Sequence, residues 1–71
     1  MKQYVAIIEW AGGNYSAYLP DLPGCVTTGA TVEQTEANLR EAVALYLEAL
    51  AADGIEPPEP RSSACSVSVA A

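Results

Sequence analysis

The fold is decided by Tyr15-Ser-Ala-Tyr-Leu-Pro-Asp-Leu-Pro-Gly-Cys-Val-Thr-Thr-Gly29. Tyr15 to Leu19 reads as a strand, with Tyr15, Ala17 and Leu19 on one face and Ser16 and Tyr18 on the other. Pro20 has no amide hydrogen to give to a ladder and ends that strand. Pro20, Asp21, Pro23 and Gly24 write a turn. Asp21 is suited to bonding backbone two residues on, and Pro23-Gly24 suits a type II turn. Cys25 to Gly29 leaves the turn as a further short strand, and Thr31 stands where a helix cap belongs.

Working outward, Tyr4 to Trp10 is rich in aromatic and β-branched residues and reads as the first strand. Both of its faces carry apolar groups, which predicts a central place in the sheet. Gly12-Gly13 accepts the backbone angles of a tight hairpin and joins it to the next strand. After the turn, Thr31 with Gln34 forms a capping box. Val32, Leu39, Val43, Tyr46, Leu47 and Leu50 then recur at helical spacing. Gly54 is placed as the glycine that ends the helix, with Ile55 beside it. The Glu56-Pro-Pro-Glu-Pro60 stretch forbids helix and reads as a return connection. Cys65, Val67 and Val69 alternate with Ser66 and Ser68, which predicts a last strand.

The expected architecture is therefore a single α+β domain over residues 1–71, of order β-β-β-α-β. Its sheet is expected to be four-stranded and mixed, of order 3-2-1-4, with one helix on one face. That order puts Cys25 and Cys65 on opposite edge strands, too far apart to bond, so two free thiols are expected.

Composition narrows the function. Three basic residues face nine acidic ones in a chain of 71, a net charge of −6. Lys2, Arg40 and Arg61 are scattered, so there is no cationic footprint for nucleic acid and no direct binding of it is expected. Apolar runs such as Val5 to Ile8 are too short to span a membrane. Nothing near Met1 resembles a secretory leader, so a cytoplasmic protein is expected. There is no histidine, so serine and cysteine nucleophiles lack their usual base. A two-metal nuclease would need converging carboxylates; Glu9, Glu41 and Glu48 are the candidates, and the expected last strand carries no acid. No catalytic residue, no metal site and no cofactor is expected. Cys25 reads as a packing residue. A core this small is expected to be supplemented by self-association, hence a homo-oligomer, dimer or tetramer. One helix covers one sheet face, which leaves Tyr18, Val5 and Ile7 on an uncovered face suited to an interface.

The motifs Tyr15-x-Ala-Tyr-Leu-Pro-Asp-Leu-Pro-Gly-Cys25, Thr28-Gly-x-Thr31, Tyr46-Leu-x-Ala-Leu50, Asp53-Gly54 and Pro57-x-x-Pro60 together resemble the HicB family of antitoxins. The likeness runs from about Tyr4 to Val69. It implies a truncated RNase H-like fold without nuclease activity. It also implies a partner: a HicA-like basic toxin that cleaves messenger RNA and is masked by the antitoxin. Full antitoxins of this kind carry a further DNA-binding module. No basic helix follows here, so the resemblance does not carry that role over. The alternative it leaves is a solitary HicB-like oligomer, regulatory or structural, without a toxin. Candidate partner-binding residues are Tyr18, Asp21 and Leu22 at the turn, which have no evident folding duty, with Glu41 and Glu48 on the helix. Pro20, Pro23 and Gly24 are assigned to the turn itself, and Thr31, Gln34 and Gly54 to the helix ends.

Overall fold

The computed structural model describes residues 2–70; Met1 and Ala71 lie outside the described residues. Strands β1 (Ile7–Trp10), β2 (Tyr15–Tyr18) and β3 (Val26–Gly29) are followed by one helix, α1 (Val32–Ala52). The sheet has three strands in the order β1-β2-β3, and both pairings are antiparallel. Ile7, Ile8, Glu9 and Trp10 stand opposite Tyr18, Ala17, Ser16 and Tyr15. Tyr15, Ser16, Ala17 and Tyr18 stand in turn opposite Gly29, Thr28, Thr27 and Val26.

The connections follow from local chemistry. The first hairpin closes with the Ala11 amide donating to the Asn14 carbonyl at 2.7 Å, and Gly12 takes a φ of +94°. Beyond β2 the chain makes two successive turns. The Leu22 amide donates to the Leu19 carbonyl at 3.1 Å, and the Cys25 amide to the Leu22 carbonyl at 3.0 Å. Gly24, at φ +84°, occupies the third position of the second turn behind Pro23, as a type II turn requires. The two turns bring Leu19, Leu22 and Cys25 to the same side, and all three are buried.

The helix begins at Thr31, whose hydroxyl accepts from the Gln34 amide at 3.0 Å. The Gln34 side chain reaches back to the Ala30 amide at 2.6 Å, one residue earlier than in the usual capping box. At the other end the Ile55 amide donates to Leu50 and the Gly54 amide to Ala51, at 2.9 and 3.1 Å. With Gly54 at φ +69°, this is a complete Schellman motif.

The core consists of Ala17, Leu19, Leu22, Cys25 and Leu39, with Tyr4, Ile8, Ala42, Val43 and Tyr46 packed against it. Because Ile8 and Thr27 stand opposite Ala17, that face of the sheet is the one beneath α1. The helix lies closest to β3, then β2, and touches β1 least. Its approach to β3 is close at one point: a Cβ built on Gly29 would lie 2.5 Å from the Thr35 hydroxyl oxygen and 2.8 Å from Thr35 Cα. The buried Thr35 hydroxyl donates to the Thr31 carbonyl at 2.6 Å, so it costs no unsatisfied group.

The structure corrects the expected topology in two places. Among the described residues there is no fourth strand and the sheet is not mixed: residues 57–70 carry no regular structure, and Val67 and Val69 are exposed. The order 3-2-1-4 is thus reduced to three strands, and the expectation of a truncated RNase H-like sheet goes with it. Alternation shows which residues would share a face if a partner strand lay alongside; it does not supply the partner. In consequence β1 is an edge strand, not a central one, and it starts at Ile7 instead of Tyr4. Both cysteines are free, Cys25 buried and Cys65 exposed, although not as members of opposite edge strands.

Candidate functional site

The residues expected to meet a partner do not form one patch. Leu22 is fully buried beneath the double turn and presents no surface. Asp21 also has a structural duty, and its partners lie forty residues away. One carboxylate oxygen accepts from the amides of Arg61 and Ser62 at 2.9 and 3.0 Å, and the other from the Ser62 hydroxyl at 3.0 Å. These bonds, first that from the Ser62 amide, then that from the Arg61 amide and last that from the Ser62 hydroxyl, hold the Asp21 carboxyl below its ordinary value. The reading of Asp21 and Leu22 as free of folding duty is corrected accordingly.

The return segment that Asp21 grips is also tied to the start of the chain. The Lys2 ammonium donates to Glu59 at 2.8 Å and to the Pro57 carbonyl at 3.2 Å, and the Tyr4 hydroxyl donates to the Pro58 carbonyl at 2.7 Å. The bond to Glu59 raises the Lys2 pKa above its usual value. Pro23 and Gly24 shape the second turn, and the Pro23 carbonyl accepts from the Tyr46 hydroxyl at 3.1 Å, which fastens the turn to α1. Pro20 is exposed at the second position of the first turn. Burial pushes the Cys25 thiol up, so it is less ionised than a free thiol and acts as packing.

Three of the five candidates remain at the surface. Tyr18 is 40% exposed on the uncovered sheet face, where the register sets Ile7, Tyr18 and Val26 in one cross-strand row. Glu9, Ser16 and Thr28 form the row beside it. Glu41 and Glu48 are exposed on α1. They are two turns apart and, at about 100° per residue, point opposite to the core-facing Leu39. In a two-layer domain these surfaces face opposite ways. The structure therefore separates Tyr18 from the helix carboxylates.

One surface residue escaped the sequence reading. Leu45 is 66% exposed, and it stands between Glu41 and Glu48, four residues after the first and three before the second. Its mark in the sequence is that it falls outside the apolar stripe of α1. Glu33, Glu36 and Arg40 are exposed on the same helix, with Arg40 paired to Glu36 at 2.6 Å. Glu36 and Arg40 flank Leu39 and line a groove beside it, so the outward side of α1 is carried by Glu33, Glu41 and Glu48, with the exposed Leu45 at its border. Among the described residues no three carboxylates, cysteines or histidines converge in a group able to hold a metal ion. Nor is any described helix long and apolar enough to cross a membrane.

Fold and surfaces define a small three-strand, one-helix α+β domain with two opposed exposed faces, an uncovered sheet face carrying the Ile7-Tyr18-Val26 row and an outward helix side carrying Glu41 and Glu48. The chain belongs to the HicB-like antitoxin family of bacterial toxin–antitoxin systems, whose model it matches over residues 4–69. It is 44% identical over 48 residues to a UPF0150 protein of Helicobacter pylori, covering 68% of this chain and 67% of that one. It is 40% identical over 50 residues to the UPF0150 protein Ta0767 of Thermoplasma acidophilum, covering 70% and 72%. A 14.9 kDa protein from the rep-hol intergenic region of Haemophilus phage HP1 is 32% identical over 56 residues, 79% of this chain and 42% of that protein. No solved structure matches the chain at a significant level. Membership supports an antitoxin-like role and, in outline, a toxin as partner.

Proposed function

We propose that the protein binds and masks a small basic toxin of the HicA type that cleaves messenger RNA. It does so in the cytoplasm, as a homo-oligomer, by occupying the toxin's surface and not by chemistry of its own. The observation that carries this reading is the outward side of α1. Glu41 and Glu48 flank the exposed Leu45, and Glu33 lies toward the same side of the helix. A basic protein that grips RNA phosphates offers the complementary surface. Opposite charge steers encounter, and an exposed apolar residue beside the carboxylates gives the contact an anchor. Asp21 and Leu22 support this by holding the domain together, and Tyr18 is left for contacts on the opposite side.

The test is co-expression with the adjacent gene's product, followed by capture at low salt and assay of RNA cleavage. A stoichiometric complex in which cleavage is suppressed supports masking. A small basic neighbour that elutes separately and stays active overturns it, and the solitary oligomer then becomes the better account.

A further inference from the structure

Three features have no part in the antitoxin reading. Among the described residues the outer edge of β1 has no strand beside it, and β2 is its one partner. Next to that edge, on the side where α1 touches the sheet least, lies an open groove of about 940 Å³. Its apolar walls include Val5, Ile8, Leu19, Leu39 and Val43, with Lys2, Glu36 and Arg40 also lining it. Finally, the chain's last stretch reaches this groove and leaves it. Ser62, Ser63 and Ala64 line its margin, whereas every residue from Cys65 to Ala70 is exposed, with Val67 and Val69 each at 78%.

We propose that these are the two halves of one contact between copies of this chain. The Cys65–Ala70 segment of each protomer lies along the β1 edge and in the groove of the other, in a reciprocal two-fold exchange. This rests on the oligomer reading above and specifies the segment that makes it. Each chain keeps its own three-stranded sheet, and the partner's segment satisfies the backbone groups that β1 exposes.

Length, pattern and charge select a second copy as the occupant. Six residues extend about 20 Å at ~3.3 Å each, the span of the six residues from Val5 to Trp10. Cys65, Val67 and Val69 alternate with Ser66 and Ser68, so one face of the segment can enter an apolar groove while the other stays wet. A chain of net charge −6 repels its copies, so contact between them is best made through uncharged segments. From Ser62 to Ala70 there is no charged side chain. Asp21 fixes the segment's point of departure at Ser62, and the small residues Ser63 and Ala64 leave freedom for the crossing.

The experiment is light scattering on the full chain at about 100 μM, a concentration at which a micromolar dimer is formed. The expected mass is twice the 7.4 kDa of one chain. Val67→Asp with Val69→Asp, and separately truncation after Ala64, are expected to halve that mass with the helical circular dichroism retained. Tyr18→Ser with Val26→Ser, on the uncovered sheet face, is expected to leave the mass unchanged. A monomeric wild type overturns this contact and the oligomer reading together. An oligomer that survives both tail variants, or that dissociates in the Tyr18/Val26 variant, overturns the tail exchange alone. Neither result bears on toxin binding, which is read in the separate capture experiment.

Discussion

Asp21 and Ser62 are joined by two hydrogen bonds. The Ser62 amide donates to Asp21 Oδ2 and its hydroxyl to Oδ1, each at 3.0 Å. The Arg61 amide adds a third bond to Oδ2 at 2.9 Å. A turn between two strands thereby anchors a segment with no regular structure of its own, and one carboxylate holds its Arg61–Ser62 end while Lys2 and Tyr4 hold residues 57–59. Asp21→Ala removes every acceptor of that set. The expected result is release of the segment with the sheet and helix intact. Trypsin cleavage after Arg61 should accelerate about tenfold or more, since proteolysis samples local opening. The mean helical signal should not change. Unaltered cleavage would mean that the Lys2 and Tyr4 contacts suffice to hold the return.

The same carboxylate sets a pH dependence. Its folded-state pKa is depressed below the ordinary 3.8 because the ionised form accepts these bonds. Stability from a depressed carboxyl is fully present above the unfolded value and is lost as pH falls through the folded one. The clasp should therefore be unchanged from neutrality down to about the ordinary value and open only below it. Amide shifts of Arg61 and Ser62, followed by NMR through an acid titration, are the direct readout. A transition between pH 5 and 7 would contradict the assignment.

Leu22 separates structural from surface roles at the turn. It is fully buried, so Leu22→Ala removes core contacts and leaves a cavity, at about 2–5 kcal/mol. Tyr18→Ala, at a 40% exposed site, should cost less than about 1 kcal/mol. Urea denaturation of the two variants should show this order. Equal losses would place Tyr18 in a packed environment that the isolated chain does not have.

The local parts of this fold were legible for a physical reason. Pro23-Gly24, Thr31 with Gln34, and Gly54 each satisfy backbone groups within a few residues, so neighbouring sequence is enough to read them. The longer-range parts were not. Nothing near Asp21 announces that its acceptors serve Arg61 and Ser62, and nothing near Val67 tells whether a strand lies beside it. The burial of Leu22 had a signal that went unread: Leu19, Leu22 and Cys25 recur every third residue, the spacing at which successive turns return to one side. Leu45 likewise announces itself by standing off the helix stripe. As for the candidate site, sequence located its residues along the chain but not their division between two faces, because that depends on which sheet face α1 covers.

Gly29 is required by the closeness of α1 to β3. A methyl group there meets the Thr35 hydroxyl oxygen at 2.5 Å and also the Thr35 backbone, at 2.7 Å from its nitrogen and 2.8 Å from its Cα. The helix must therefore move away from the strand. Gly29→Ala is expected to destabilise by about 1–3 kcal/mol, the range for overpacking, as measured by urea denaturation. Thr35→Ala, which removes the hydroxyl oxygen 2.5 Å from the added methyl, should leave much of that penalty in place, since the backbone clash remains. Full rescue by Thr35→Ala would locate the conflict in the Thr35 hydroxyl instead.

The acidic side of α1 carries the partner prediction, and charge reversal tests it without disturbing the core. Glu41 and Glu48 are exposed and point away from Leu39, so Glu41→Lys with Glu48→Lys should change stability by no more than about 0.5 kcal/mol. Against a basic toxin the same pair exchanges attraction for repulsion. Association should slow and affinity should fall roughly 10- to 100-fold at low salt. The gap between wild type and variant should narrow as salt is raised, because exposed charges are screened over a Debye length of about 8 Å at physiological ionic strength. Leu45→Ser should behave differently: it removes an apolar anchor, so its effect should appear in the dissociation rate and persist at high salt. Surface plasmon resonance at two salt concentrations distinguishes the two patterns. If both variants bind the toxin as tightly as wild type, the outward side of α1 is not the masking surface, and the uncovered sheet face with Ile7, Tyr18 and Val26 becomes the surface to test.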